Sequence, residues 1–394
     1  MSGAIRDGNG SSGRASERPG PDGSPGGVLK RFRPFPNPFH VLARWALFNV
    51  AYPLRGKRPL RPLAMCLYVT YRCNMRCQMC GIWSLPEDEK GGEWSVAELD
   101  RMLQDPLLSR LEFVNINGGE PNLRTDLTEI TDLLLTRLPR LRNLTLNTNG
   151  LPTERCIDNC RRILALCQKR KVRFGVSVSL HRIGAGFDEI AGIPDAYRKV
   201  KATLDGLKAL RGERGFYLST NCVLTPVNIG EAEDMLQWGT DEGIPVNFTV
   251  AETRERFNNL GSADAITFSE AEDRRRLVAF LRRLGRQKRL LGHHAIRYRE
   301  LAEMVENGRP RTLACHYALA GLILGWDGTI YYCKKSDSIG NIRERPGREI
   351  YFGRTSLAYR HEAIVQQSCP NCLPNTFNSI ELQKDLAKLV ALLR

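Results

Sequence analysis

Three cysteines, Cys73, Cys77 and Cys80, lie close together in the stretch Tyr71–Trp83, YRCNMRCQMCGIW. Their C-x3-C-x2-C spacing follows an apolar run, Ala64–Tyr71, which puts the thiols on the loop after a strand. Three thiolates on one short loop can hold three irons of a four-iron cluster and leave the fourth without a protein ligand, open to chemistry. Two plainer readings compete: reduced core thiols, or three quarters of a zinc site. One strand–helix unit later stands Gly118-Gly119-Glu120-Pro121. Its glycines allow close backbone approach to a ligand, and its carboxylate could accept hydrogen bonds from an ammonium group; by itself the motif is also an ordinary turn. A third strand ends Asn147-Thr148-Asn149-Gly150, a turn with glycine suited to positive φ.

Four more cysteines, Cys315, Cys333, Cys369 and Cys372, fall near the C-terminus. The first two flank a hairpin expected to turn at Trp326-Asp327-Gly328, with its second strand at Thr329–Tyr332; Cys369-Pro370-Asn371-Cys372 supplies a chelating pair. Four thiolates could close a second cluster completely or hold a structural zinc, and the residue chemistry favours neither.

The cysteine loop, GGEP and the Asn-Thr-Asn-Gly turn together resemble the radical S-adenosylmethionine (SAM) superfamily. The resemblance implies an opened TIM barrel with a 4Fe-4S cluster on Cys73, Cys77 and Cys80, whose open iron chelates SAM. It further implies reductive cleavage to methionine and a 5′-deoxyadenosyl radical, a hydrogen taken from the substrate, and a reducing partner such as flavodoxin or ferredoxin. By the same resemblance Gly118, Gly119 and Glu120 hold the SAM amino group, with Asn149 near the pocket and Ser177 reaching the SAM ribose or carboxylate. The C-terminal spacing resembles SPASM and shorter twitch domains. No further cysteine follows Cys372, so the twitch arrangement is implied, with one auxiliary 4Fe-4S cluster to accept the electron of an oxidised substrate radical. Two positions depart from the family pattern. Met79 stands where relatives usually place an aromatic, and Ser177-Val178-Ser179-Leu180 replaces Ser-x-Asp-Gly.

These residues need a scaffold, and the sequence supplies one. Six apolar runs, Ala64–Tyr71, Leu111–Asn117, Asn143–Asn149, Arg173–Leu180, Tyr217–Leu224 and Pro245–Val250, alternate with amphipathic stretches. Alternation of this kind argues for an α/β fold, a partial (β/α)6 TIM-like barrel whose strand-end loops carry the site, followed by a small twitch/SPASM-like domain. Capping boxes are expected at Ser95–Glu98 and Ser269–Glu272, and a basic linker through Arg297–Arg299. The domain boundaries read as 1–29, a disordered tail; 30–61, a basic aromatic helix or linker; 62–255, the barrel; 256–312, a helical linker; and 313–394, the auxiliary cluster domain.

The chain has 394 residues, is 42% hydrophobic and can bury a sizeable core. Its twelve cysteines fall mostly in clusters, and the N-terminus lacks a signal-peptide pattern, which points to a reducing cytoplasm. Formal net charge is +15, and residues 30–61 carry eight basic and no acidic residues interleaved with aromatics. The segment's apolar run, Val41–Leu54, is interrupted by Arg44 and Asn49 and is too short and polar to span a bilayer. It reads as a helix packed on the barrel, with peripheral contact to an anionic membrane as the alternative; no nucleic-acid-binding motif is present. Cys156, Cys160 and Cys167 share a helical face and read as structural thiols, as does Cys222, which could donate a hydrogen atom if it faced the barrel interior. The run Glu252–Arg256 reads as a solvated loop at the position of substrate loops.

The expected function is a radical SAM oxidoreductase acting on a sugar or aminocyclitol. A ribosomal peptide and a lipid-linked molecule are the alternative substrates. A zinc-stabilised binding scaffold is the non-enzyme rival, against which Glu120 and the intact cysteine triple count.

Overall fold

The computed structural model describes residues 38–287, 292–375 and 379–385. The tail expected over 1–29 and the start of the 30–61 segment lie outside them. All six expected strands are present: β1 (Ala64–Thr70), β2 (Phe113–Gly118), β3 (Asn143–Thr148), β4 (Arg173–Ser179), β5 (Phe216–Leu224) and β6 (Val246–Val250). They run parallel, each beside its predecessor. Amphipathic helices such as Leu127–Arg137, Thr153–Lys169 and Ala196–Lys208 make the crossovers, completing an α/β partial barrel.

Three more strands, β7 (Gly321–Leu324), β8 (Thr329–Tyr331) and β9 (Ser338–Asn341), extend the same sheet beyond β1. β7 pairs parallel with β1, and the hairpin β7–β8 turns at Trp326-Asp327-Gly328 as expected. Cys315 and Cys333 therefore lie at the two ends of the stretch that adds β7 and β8 to the barrel sheet, whereas Cys369 and Cys372 follow the helical segment Arg360–Ser368.

Strand alternation sorts chemistry from packing. Val114, Ile116, Leu144, Leu146, Val176 and Val178 belong to the large core shared with the helices. The intervening positions are polar: Asn115 Nδ2 donates to Thr145 Oγ1 at 2.7 Å and to Asn147 Oδ1 at 3.3 Å, and Ser177 pairs with Asn147 and Ser219. On β1, Met65, Leu67 and Val69 join the large core, whereas Cys66 and Tyr68 join a separate cluster with Tyr317 and Ile323. Cys156, Cys160 and Cys167 are fully buried in the large core, as structural thiols should be. Cys222 lies in that core too, 1% exposed, its thiol against the His181 carbonyl at 3.6 Å, and so does not face the barrel interior.

Local signals hold unevenly. The Ser95–Glu98 capping box forms, with Ser95 N donating to Glu98 Oε2 at 2.8 Å and Glu98 N to Ser95 Oγ at 3.2 Å. The one expected at Ser269 does not: the helix Ala271–Arg286 starts at Glu270 without a side-chain cap, and Glu272 pairs with Arg275 and Arg276 one turn on. Arg297–Arg299 is no linker but part of the helix Gly292–Asn307, where buried Arg297 donates to Phe248 O and Asn375 O.

The basic segment before β1 continues as a helix, Pro38–Ala46, then a wide turn at Leu47–Ala51. Phe48 and Tyr52 bury against Leu319, Ala320 and Ile380, and Arg44 forms a buried ion pair with Glu112 just before β2. Leu42 and Leu54 point outward, 62% and 81% exposed. Among the described residues no helix is long and apolar enough to cross a membrane. Removing one member of a buried pair strands the other's charge, so Arg44→Ala should cost about 3–5 kcal/mol. Replacing both residues, Arg44→Met with Glu112→Leu, should recover most of the loss, as read by urea denaturation.

Candidate active site

The loop after β1 is pinned mainly through its backbone. Gly119 N donates to Thr70 O at 2.7 Å and Glu120 N to Arg72 O at 2.8 Å, tying the loop's start to the end of β2. Arg76 N and Gln78 N donate to Ala191 O and Ile190 O, and Gly81 N to Phe257 O at 2.8 Å. Asn259 Nδ2 donates to Met79 O at 2.9 Å. These contacts leave no room for side chains at several points. A Cβ on Gly119 would stand 2.2 Å from Arg72 O, and one on Gly81 1.9 Å from Asn258 O. The GGEP glycines thus admit the first loop's own backbone.

Held in this way, Cys73, Cys77 and Cys80 are half-buried, packed against apolar clusters, and close enough for charge on one to disfavour charge on another. Burial pushes Cys73 up to about 12 and raises Cys77 and Cys80 as well. No cation leads the causes for any of the three. Thiols in this state ionise when a metal takes the place of the proton, which suits cluster ligands and gives isolated nucleophiles little help. Among the described residues no three His, Cys, Asp or Glu side chains converge tightly enough for a single ion.

Glu120 sits differently from an open ammonium ligand. It is 0% exposed, and both oxygens meet protein donors. Oε1 accepts from Asn122 N at 3.0 Å, Asn122 Nδ2 at 2.9 Å and Thr148 Oγ1 at 2.7 Å, and Oε2 from Asn149 N at 2.6 Å. Burial raises its pKa against these hydrogen bonds. Asn149 in turn donates through Nδ2 to Asn74 Oδ1 at 2.7 Å and lies 3.7 Å from the Cys73 thiol. The carboxylate therefore fastens the ends of β2 and β3 to the cysteine loop. Ser177 lies one strand further, on the polar face.

The four C-terminal cysteines border one cavity of about 500 Å³. Cys315 precedes the short helix His316–Ala320, Cys333 follows β8, and Cys369 and Cys372 form a turn in which Cys372 N donates to Cys369 O at 3.3 Å. Burial raises Cys315 to about 12 and Cys333 to about 11. Arg311 joins the two halves, its backbone N donating to Pro370 O and its guanidinium to Leu313 O and Ala314 O.

The loop after β6 connects the two groups of thiols, and it is not the solvated loop expected from its charge. Glu252 and Arg254 form an ion pair with side chains 9% and 8% exposed, and Lys335 reaches Glu252 at 3.0 Å. Arg256 donates to Cys333 O and Lys334 O and lies 4.3 Å from the Tyr331 ring centroid. On the other side, Phe257 and Asn259 hold the Cys77–Gly81 turn. A tally of charges suggested solvation; the partners that bury these residues lie some 80 positions downstream and were not legible. Cys66 was also missed, a lone thiol on β1 with Asn115 Oδ1 at 3.6 Å.

A parallel partial barrel with a three-cysteine loop at the end of its first strand defines the class. Residues 67–239 match the family model described as the Radical SAM superfamily, and the chain carries a radical SAM domain. It is 28% identical over 231 residues to GTP 3′,8-cyclase of Acidothermus cellulolyticus, covering 55% of this chain and 59% of that protein. It is 28% identical over 181 residues to pre-heme d1 synthase of Dinoroseobacter shibae, covering 45% and 40%. The chain thus spans about half the length of these curated relatives. In fold it is similar to Streptococcus suis SuiB bound to S-adenosylmethionine, at TM-score 0.56 and 14% identity over 83% of this chain and 74% of that one. It is also similar to anSMEcpe with bound AdoMet and Cp18Cys peptide, at TM-score 0.50 and 14% identity over 83% and 98%. A radical SAM domain takes a 4Fe-4S cluster and SAM.

Two tests follow. Glu120→Gln puts an amide NH2 against N–H donors, so it should cost about 1–3 kcal/mol in thermal or urea unfolding and loosen iron retention at the first loop. Because raised thiols release protons when iron binds, the metal-free protein's affinity for iron should rise with pH between 7 and 9 in competition with a chelator.

Proposed function

We propose that this radical SAM enzyme is a two-cluster oxidoreductase, with Cys73, Cys77 and Cys80 holding the catalytic 4Fe-4S cluster and Cys315, Cys333, Cys369 and Cys372 an auxiliary one. The observation that carries the reading is the single cavity bordered by all four C-terminal thiols and joined through the β6 loop to the first cysteine loop. When bound, the groups supply one-electron chemistry: cleavage of SAM to a 5′-deoxyadenosyl radical at the first cluster, and a sink for the electron of an oxidised substrate at the second.

The chain's own residues bind, orient and exclude water. Glu120 acts on SAM through the loop it fastens, and Asn149 keeps Asn74 and the Cys73 thiol in register. Met79 packs with Ile190, Ala251 and Ile266, giving a dry wall beside Cys77. Tyr71 stacks on Trp326 with centroids 3.6 Å apart, locking the start of the first loop onto the C-terminal hairpin. The polar strand face of Asn115, Thr145, Asn147 and Ser177 offers hydrogen-bond partners for a small polar substrate.

Protein isolated without oxygen should be brown and carry about eight irons per chain. Replacing Cys369 and Cys372 by serine should lower this to about four and leave dithionite-driven SAM cleavage in place, and replacing Cys73, Cys77 and Cys80 should abolish cleavage. Cleavage surviving the triple replacement, or unchanged iron content in the double variant, would contradict the assignment.

A further inference from the structure

The β6 loop holds a cation that the protein only partly uses. Arg254 borders the cavity, and its Nη2 is paired with Glu252, but Nε and Nη1 are buried without an acceptor. Glu252 is already shared, meeting Lys335 as well as Arg254 and accepting from Asn375 Nδ2 at 3.1 Å. The ammonium of Lys334, on the same wall, has no hydrogen-bond or ion-pair partner among the described residues. Nearby, Arg256 likewise keeps Nε and Nη1 unpartnered.

Charge around the cavity is lopsided. Lys57, Arg254, Arg311, Lys334, Lys335, Arg360 and Lys384 border it against one carboxylate, Glu252. A four-thiolate cluster adds a net charge on the order of −2, and cations still outnumber anions. Several of these cations are spoken for: Arg311 and Arg360 by backbone carbonyls, Lys384 by Phe48 O. Arg254 and Lys334 are not satisfied in this way. Both border the cavity that the four C-terminal thiols line.

We propose that the substrate carries an oxyanion, a phosphate or carboxylate group, which Arg254 and Lys334 hold in the cavity between the β6 loop and the C-terminal thiols. Glu252, clamped by Asn375, positions Arg254 on the cavity wall beside Lys334. Guanidinium and ammonium groups on a cavity wall suit oxygen anions. The same charges repel a protonated amine, which tells against the aminocyclitol expected from sequence. This inference rests on reading the cavity as the reaction chamber of the two-cluster enzyme.

The test uses the full chain, loaded with iron, sulfide and SAM without oxygen. Binding of GTP, inorganic pyrophosphate, citrate and guanosine is measured by calorimetry, with iron content and SAM cleavage read on the same batches. The expected result is binding of GTP and pyrophosphate, or of citrate, with guanosine much weaker than GTP; which probe binds separates phosphate from carboxylate. Arg254→Ala should weaken that binding about tenfold or more and Arg254→Lys should recover part of it. If Arg254→Ala loses its iron, Lys334→Gln is the variant read, and should also weaken binding. Failure of every anion to bind, equal binding of guanosine and GTP, or anion affinity unchanged in the variants would overturn the inference. If the loaded protein cleaves SAM and holds its iron while binding no anion, this inference alone fails; if it holds no iron, the two-cluster reading fails and takes the inference with it.

Discussion

Three half-buried thiols brought together on one short loop are the constraint on which the rest of the structure depends. A loop carrying them is fixed largely from outside, with its own Tyr71, Asn74 and Met75 side chains adding a ring stack, a hydrogen bond and core packing. The protein does this by sacrificing Cβ atoms at Gly81 and Gly119 and by recruiting backbone donors and acceptors from the loops after β2, β4 and β6. Glu120 completes the arrangement from beneath. Its four hydrogen bonds converge on the ends of β2 and β3, and through Asn149 they reach the first cysteine. Burying an uncompensated carboxylate is costly, and here every lone pair that matters is met by a donor that itself fixes the loop.

The same economy links the two ends of the chain. β7 pairs with β1, so Cys315 and Cys333 are carried by the sheet itself, while Cys369 and Cys372 come in on the helical segment Arg360–Ser368. The β6 loop then bridges the gap, gripping the first loop with Phe257 and Asn259 and the second set of thiols with Arg256 and Glu252. Spacing between the two sites is thereby set by strands and buried ion pairs. Fixed geometry of this kind suits a site that must hold its groups in register and keep water out.

Much of the scaffold was legible in the sequence because it is written locally. Strand periods, the cysteine spacing, GGEP and the hairpin turn each lie within a dozen residues, and the strands begin and end within one or two residues of where their apolar runs do. What was not legible depended on distant partners. Glu252–Arg256 looks solvated until Lys335, Asn375 and the Cys333 carbonyl are brought alongside. Glu120 looks free to meet a ligand until Thr148 and Asn149 close over it. The Ser269 cap failed for a local reason, since two arginines one turn ahead compete for Glu272. Cys66 carried no motif at all, and only its place on β1 brings it to the interior.

The account stands most directly on whether the first site keeps an iron open to SAM. Anaerobically loaded protein, reduced and examined by electron paramagnetic resonance with and without SAM, should show two cluster signals of which one changes when SAM is added. That changing signal should vanish when Cys73, Cys77 and Cys80 are replaced by serine. Signals indifferent to SAM, or a SAM-sensitive signal that survives the replacement, would contradict it.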